Sequence, residues 1–434
     1  MRRRLQILVS AYACEPYRGS EPGLGWNVAC ELAAQHDVWV ITRANNRASI
    51  EAALARESPA RAPNFVYLDL PPWARRLKRL PGGVLVYYHY WQRAAKRLAK
   101  RLHAEHGFDV ALHTTFAKYW SRLAVTGLGI PHVVGPVGGG ESAPRSMWHG
   151  IGWRGHAVEL LRELARWLAE RDHHVRSALA SASVVLAATE DTKWRVERLG
   201  CPEVRIENVA GLSEAEIAAA SEAVPQHRSV VTFLSVGSLL PVKGFHLGLR
   251  AFAAMQDRTA EYWIVGRGPF GPALESLARD LGVAERVRFL GERPRHETLA
   301  LMRQCHVLVH PSLHDSGGFV VLEAMAEGLP VVCLDLGGPA TLVNAQCAVI
   351  VAARTVPQTT TDLAETMAGL VRDGERRAAM GRAGRTWVAE RHVWRAKVGR
   401  IGQALLDATS AAAEPAEPLA APPAFPEHAR PDRA

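Results

Sequence analysis

The densest chemistry in the sequence lies in HPSLHDSGGFVVLEAMAEGLPVV, from His310 to Val332. Two carboxylates, Asp315 and Glu323, stand eight positions apart, and Gly317, Gly318, Phe319 and Val320 lie between them. Glycines let a ligand come close to the backbone, and the following helix-like run presents unpaired N–H groups with partial positive charge. Asp315 falls in the loop and Glu323 about two turns into the helix, so the pair can hydrogen-bond hydroxyls on two separate sugar rings. The same positions also fit a helix cap and a half-exposed helix residue. A second segment, FLSVGSLLPVKGFHLGLRAF, ends a strand at Gly237-Ser238 and opens a helix at Lys243-Gly244. A lysine at a helix start suits a diphosphate, although G-x-x-x-x-G-K-[ST] is absent. A third, YWIVGRGPF, places Gly266, Arg267 and Gly268 at another strand end. These three loops belong to one sheet edge.

The first half offers weaker signals. His113 closes the strand DVALHT, where it would point into a cleft; a structural role is equally open. PVGGGES, with Gly139 and Glu141, reads as a strand-end loop for a ligand or as a tight turn. Gly23 and Gly25 faintly resemble a dinucleotide fingerprint, but Val28 occupies the third glycine position. A flexible glycine loop facing the cleft is the reading adopted for them. Arg93, Lys96, Arg97, Lys100 and Arg101 recur at helical spacing opposite Trp91, Ala95, Leu98 and Leu102. Such a stripe fits an anionic bilayer or a lipid phosphate, although a solvated helix face packed on its own core is the simpler reading.

The elements that must position these residues follow from short apolar runs alternating with helical patterns. LQILVSA, HDVWVIT, NFVYLDL, DVALHT, PHVVGPV and SVVLAAT read as strands in the first half. VVTFLSVG, EYWIVG, RVRFLG, HVLVH, PVVCLDL and AVIVAA repeat the pattern in the second. Continuous apolarity marks strands buried on both faces, hence parallel sheets under helices. The fold class is therefore α/β, with two doubly wound parallel-sheet domains whose ligands gather at the carboxyl ends of the strands. The expected division is 1–210, 211–385, a helix over 386–408 crossing back to the first domain, and a Pro/Ala-rich disordered tail over 409–434.

Composition narrows the function classes. The 434 residues, 48% apolar and 22% charged, exclude wholesale disorder. A net charge of +9 favours anionic partners. Six scattered cysteines without C-x-x-C argue against a disulfide framework or structural zinc and for a reducing cytoplasm. The basic start MRRRLQILVSAYAC reads as a first strand rather than a signal peptide, and no segment is apolar for the roughly 18 residues of a membrane span.

Together these motifs resemble the retaining glycosyltransferases of family 4, with their GT-B architecture of two Rossmann-like domains across a cleft. The likeness rests on the Asp315–Glu323 spacing, Lys243, Gly266–Pro269, YACEPYRGSEPGLGWN and GPVGGGE, and covers residues 4–408. It implies that Lys243 contacts the donor diphosphate, Glu323 the nucleotide ribose and Asp315 the transferred sugar. It also implies that His113 lies near the reacting centre and that the backbone at Gly317–Val320 approaches sugar and phosphates. The implied partners are a nucleotide diphosphate sugar and a glycan or lipid-linked acceptor in cell-envelope polysaccharide biosynthesis, at the inner face of the cytoplasmic membrane. No cofactor, no metal and no nucleic acid are implied, and the leaving phosphate would help take the acceptor proton. The sequence departs from the family at Asp315, where members carry glutamate, and at Ser238, where many carry arginine. Loss of that guanidinium removes a contact worth about 1.5–3 kcal/mol unless Arg267 supplies it. Rival readings are a GT-B pseudoenzyme or glycan-binding protein, a nucleotide-sugar epimerase and a basic nucleic-acid-binding protein; a nicotinamide oxidoreductase is weaker still.

Overall fold

The computed structural model describes residues 3–413 except 81, 117, 151, 223–228 and 256. Its strands are β1 (Gln6–Ala11), β2 (Asp37–Arg43), β3 (Asn64–Leu68), β4 (Val110–Thr114), β5 (His132–Val137), β6 (Val184–Ala187) and β7 (Val204–Ile206) in the first half. They continue with β8 (Thr232–Val236), β9 (Glu261–Val265), β10 (Val287–Gly291), β11 (Val307–His310), β12 (Val331–Leu334) and β13 (Ala348–Val351). Two sheets result, ordered β3-β2-β1-β4-β5-β6-β7 and β10-β9-β8-β11-β12-β13. Every strand pairing is parallel; Ser10, for example, lies against His113, and Leu234 against Leu308. In each sheet the strand order reverses beside the first strand of its half, and at that switch point loops diverge and leave a crevice.

Each sheet is covered on both faces, which is why its central strands are apolar without alternation. Ile7, Val9 and Val133 pack on one face of the first sheet, and Leu8, Ala111 and Val134 on the other. β7 has no run in the sequence reading, because its three residues are only half-buried at the sheet edge.

The last helix, Trp394–Ala413, returns from the second lobe and buries Trp394, Val398, Ile401 and Leu405 in the core of the first. The segment expected as one crossing helix over 386–408 is divided, because the helix Gly374–Arg391 ends before it starts. The crossing helix also continues through 409–413, residues assigned to the tail, since Ala408 is still buried against the first lobe. The remainder of that tail, 414–434, lies outside the described residues. All six cysteines are free, and no helix among the described residues is long and apolar enough to cross a membrane.

Candidate active site

The site is built where the carboxyl ends of β8, β9 and β11 meet. After β8 the chain turns at Gly237, and Gly266, following β9, lies so close that a Cβ there would sit 1.9 Å from the Gly237 carbonyl oxygen. Only glycine permits that packing at φ 145°. Leu239 N–H then donates to Arg267 O (3.1 Å), zipping the two loops together. Ser238 and Arg267 stand exposed at their tips.

Lys243 ends a short 3-10 turn before the helix Phe245–Ala254. Its ammonium donates to Asp315 Oδ2 at 2.7 Å, and His310 Nε2, from the end of β11, lies 3.3 Å from the same oxygen. Burial alone would raise the Asp315 pKa, but the His310 and Lys243 side chains outweigh it and hold the carboxyl far below the usual carboxylate range. The Asp315 backbone carbonyl accepts from Gly338 N–H (2.7 Å), which fixes the loop. Gly318 then takes φ 84° and caps the helix Phe319–Ala326, whose free amides open toward the same space.

Glu323 is the fifth residue of that helix, little more than one turn in, where the sequence spacing expected two. The difference arises because Gly317 and Gly318 stay in the loop. Arg295 Nε donates to Glu323 Oε1 at 2.6 Å, and the same guanidinium reaches Glu216 at 2.7 Å. Burial raises the Glu323 pKa, with Arg295 opposing.

The first lobe faces this edge with the Gly138–Ser142 loop after β5. Glu141, 1% exposed, accepts from Gly139 N–H (2.9 Å), Thr189 Oγ1 (2.8 Å), Thr192 Oγ1 (3.1 Å) and, across the cleft, Ser316 Oγ (2.8 Å). Arg166 is equally buried and donates to the carbonyls of Gly139, Gly140 and Glu141 and to Ser142 Oγ. Asn208, in the connection between lobes, donates to Gly338 O and Thr341 Oγ1. His314 lies 3.4 Å from Arg162 of the first lobe, and burial lowers its pKa to about 4.

Two expectations about placement fail. His113 does not open into the cleft: it is fully buried, and its Nε2 lies 3.3 Å from the hydroxyl of Tyr88, which packs with Tyr12 and Phe116. That burial lowers its pKa to about 4. Gly23 and Gly25 are not a flexible loop either; both lie inside the helix Ser20–Ala33. Their missing side chains let the β1 loop pack on that helix, since Cβ atoms there would strike Arg18 O and Ala13 O at 2.0 and 2.1 Å. Sequence reasoning overlooked Arg166, Asn208, Arg295 and Ser316, because each acts through partners at least 24 positions away.

Residues 221–387 match the family model described as glycosyl transferases group 1. Over that stretch the second lobe is similar to the group 1 glycosyl transferases. The chain is 35% identical over 167 residues to the D-inositol 3-phosphate glycosyltransferase of Corynebacterium glutamicum, a stretch covering 36% of this chain and 38% of that relative. It is 36% identical over 188 residues to the GDP-mannose-dependent alpha-(1-6)-phosphatidylinositol monomannoside mannosyltransferase of Mycolicibacterium smegmatis, covering 41% and 48%. The chain thus aligns with less than half the length of these curated relatives. In structure it resembles a glycosyltransferase from Rickettsia africae at TM-score 0.63 and 12% identity, over 93% of this chain and 98% of that one. The family match therefore falls on one of the two lobes, which together have the GT-B fold.

Proposed function

We propose that the protein transfers a sugar from a nucleotide diphosphate sugar to a glycan or lipid-linked acceptor, without a metal cofactor, in the building of a cell-envelope glycan. The observation that carries this reading is the Lys243–Asp315 pair, set beside the open amides of the helix Phe319–Ala326 and facing the Glu141 loop. Lys243 and the amides at the start of the helix Phe319–Ala326 hold the diphosphate and stabilise charge as it departs. Asp315, ionised throughout the working pH range, accepts hydrogen bonds from hydroxyls of the transferred sugar. Glu323 accepts from the ribose, turned toward it by Arg295. The leaving phosphate takes the acceptor proton, so no protein nucleophile is assigned. The Ser316–Glu141 contact closes the two lobes over the donor and excludes water.

The test is thermal stabilisation by a panel of nucleotide diphosphate sugars, followed by product analysis with the stabilising donor. Wild-type protein is stabilised by at least one donor and releases nucleotide diphosphate; Lys243→Ala, still cooperatively folded but with a lowered melting temperature because Asp315 loses its partner, does neither. Stabilisation by none of them, or full transfer by Lys243→Ala, overturns the assignment.

A membrane-borne acceptor is favoured by the surface around the cleft mouth. The helix Gly152–Ala169 directs its polar residues Glu159 and Arg166 inward. Its face of Leu160, Leu161, Leu164, Trp167 and Leu168 is turned to solvent, Leu161 being 65% exposed. Water does not stabilise such inverted amphipathicity, whereas a bilayer interface does. Trp73, Leu80 and Val84–Val86, beyond the end of β3, are exposed as well. These residues, more than the Arg97, Lys100 and Arg101 part of the stripe, are assigned to peripheral contact with an anionic membrane. Co-sedimentation with phosphatidylglycerol vesicles checks it: Leu161→Asp with Leu164→Asp releases the protein, and unchanged sedimentation refutes the assignment.

A further inference from the structure

The first lobe contains a cavity of about 580 Å³ between the helices Gly83–His106 and His173–Ala180. None of the cleft residues above lines it. Arg93 and Lys96, two members of the basic stripe, turn into this cavity and face Arg122, His173 and His174. No carboxylate lines it among the described residues. Asp172 stands beside it, but its side chain accepts from the His174 N–H (2.9 Å) and lies 3.6 Å from Arg122. Lys96 donates to Thr126 Oγ1 at 3.0 Å, and burial together with Lys100 lowers its pKa. Gln92, only 2% exposed, also lines the cavity, beside Tyr88.

Arg93, Lys96 and Arg122 held around one hollow repel each other. That cost falls if an anion with several acceptor oxygens enters. We propose that this cavity is a phosphate-binding site, separate from the cleft, in which Lys96, Arg93 and Arg122 pair with the phosphate oxygens and Gln92 donates its amide N–H. The volume exceeds that of inorganic phosphate, so the occupant is a phosphate ester, either a soluble one or the headgroup of a lipid. A divalent cation is the alternative occupant, since Asp172, His173 and His174 bring ligand atoms within 4.8 Å of one another. Arg122 beside Asp172 disfavours it.

This inference does not depend on the transferase reading, and its experiment reads binding alone. Inorganic phosphate and glycerol 3-phosphate are titrated calorimetrically into wild-type protein, Lys96→Gln and Arg122→Gln, with zinc titrated in parallel. The wild type binds phosphate saturably, and each variant binds about tenfold more weakly, while melting temperatures and donor-induced stabilisation remain as in wild type. Should Lys96→Gln fail to fold, Arg122→Gln, a partly exposed position, carries the test. Absence of saturable binding, equal affinity in the variants, or binding of zinc without phosphate overturns the proposal. Vesicles of phosphatidylcholine with and without phosphatidylglycerol distinguish the sources. Phosphate-competed binding that both variants weaken identifies a lipid headgroup; phosphate binding with no vesicle effect identifies a soluble ester.

Discussion

At the scale of single residues, the two carboxylates of the candidate site are tuned in opposite directions. Asp315 is held ionised by Lys243 and His310 although burial opposes it, and Glu323 is raised by burial although Arg295 opposes it. Because the folded-state pKa of Asp315 lies below its unfolded value, its contribution to stability is present at neutral pH and lost as the pH falls below the ordinary carboxylate range. Asp315→Asn is therefore expected to flatten the acid limb of a stability–pH curve measured by urea unfolding. Glu323 takes up its proton at higher pH than an ordinary glutamate and then no longer serves as a full acceptor. Donor affinity should accordingly weaken on acidification before the fold does, and Glu323→Gln should bind donor weakly with that pH dependence removed, as read by calorimetry. Both carboxylates and Lys243 were legible in the sequence because they sit within one loop–helix unit or at a glycine-marked turn. Arg295 was not, since nothing in local spacing ties it to a glutamate 28 positions away.

At the scale of elements, the loop after β5 owes its shape to a cation from a distant helix. The Arg166 guanidinium satisfies three successive carbonyls of that loop from a side chain 1% exposed. Arg166→Leu leaves those carbonyls without a donor and should cost about 3–5 kcal/mol, visible as a lowered midpoint in urea unfolding. A surface change such as Arg101→Gln should leave the midpoint unmoved. The parallel strands were readable from uninterrupted apolar runs, because burial on both faces imposes one composition on the whole strand. β7 was not, since an edge strand of three half-buried residues carries no such signature. Gly23 and Gly25 misled for a related reason: glycine marks a close backbone approach, and a helix packed against a loop demands one just as a ligand does.

At the scale of the molecule, the chain passes between the lobes twice, and the passages run side by side. Leu212 N–H donates to His392 O and Trp394 N–H to Leu212 O, both at 2.9 Å. Just beyond them Lys397, 0% exposed, pairs with Glu207 at 2.5 Å, and Arg400 grips the same carboxylate at 2.6 Å. Lys397→Ala should cost about 3–5 kcal/mol in urea unfolding, and combining Lys397→Met with Glu207→Gln should recover part of the loss. The last helix adds to this, burying Ile401 and Leu405 against the opposite lobe, so truncation after residue 393 should expose the first lobe's core and yield dye-binding, aggregation-prone protein. A door hung on two adjacent pins swings in one plane and resists torsion. Paired by these two rungs, the lobes are tied along one edge, so any opening between them is expected to be widest at the rim farthest from Leu212.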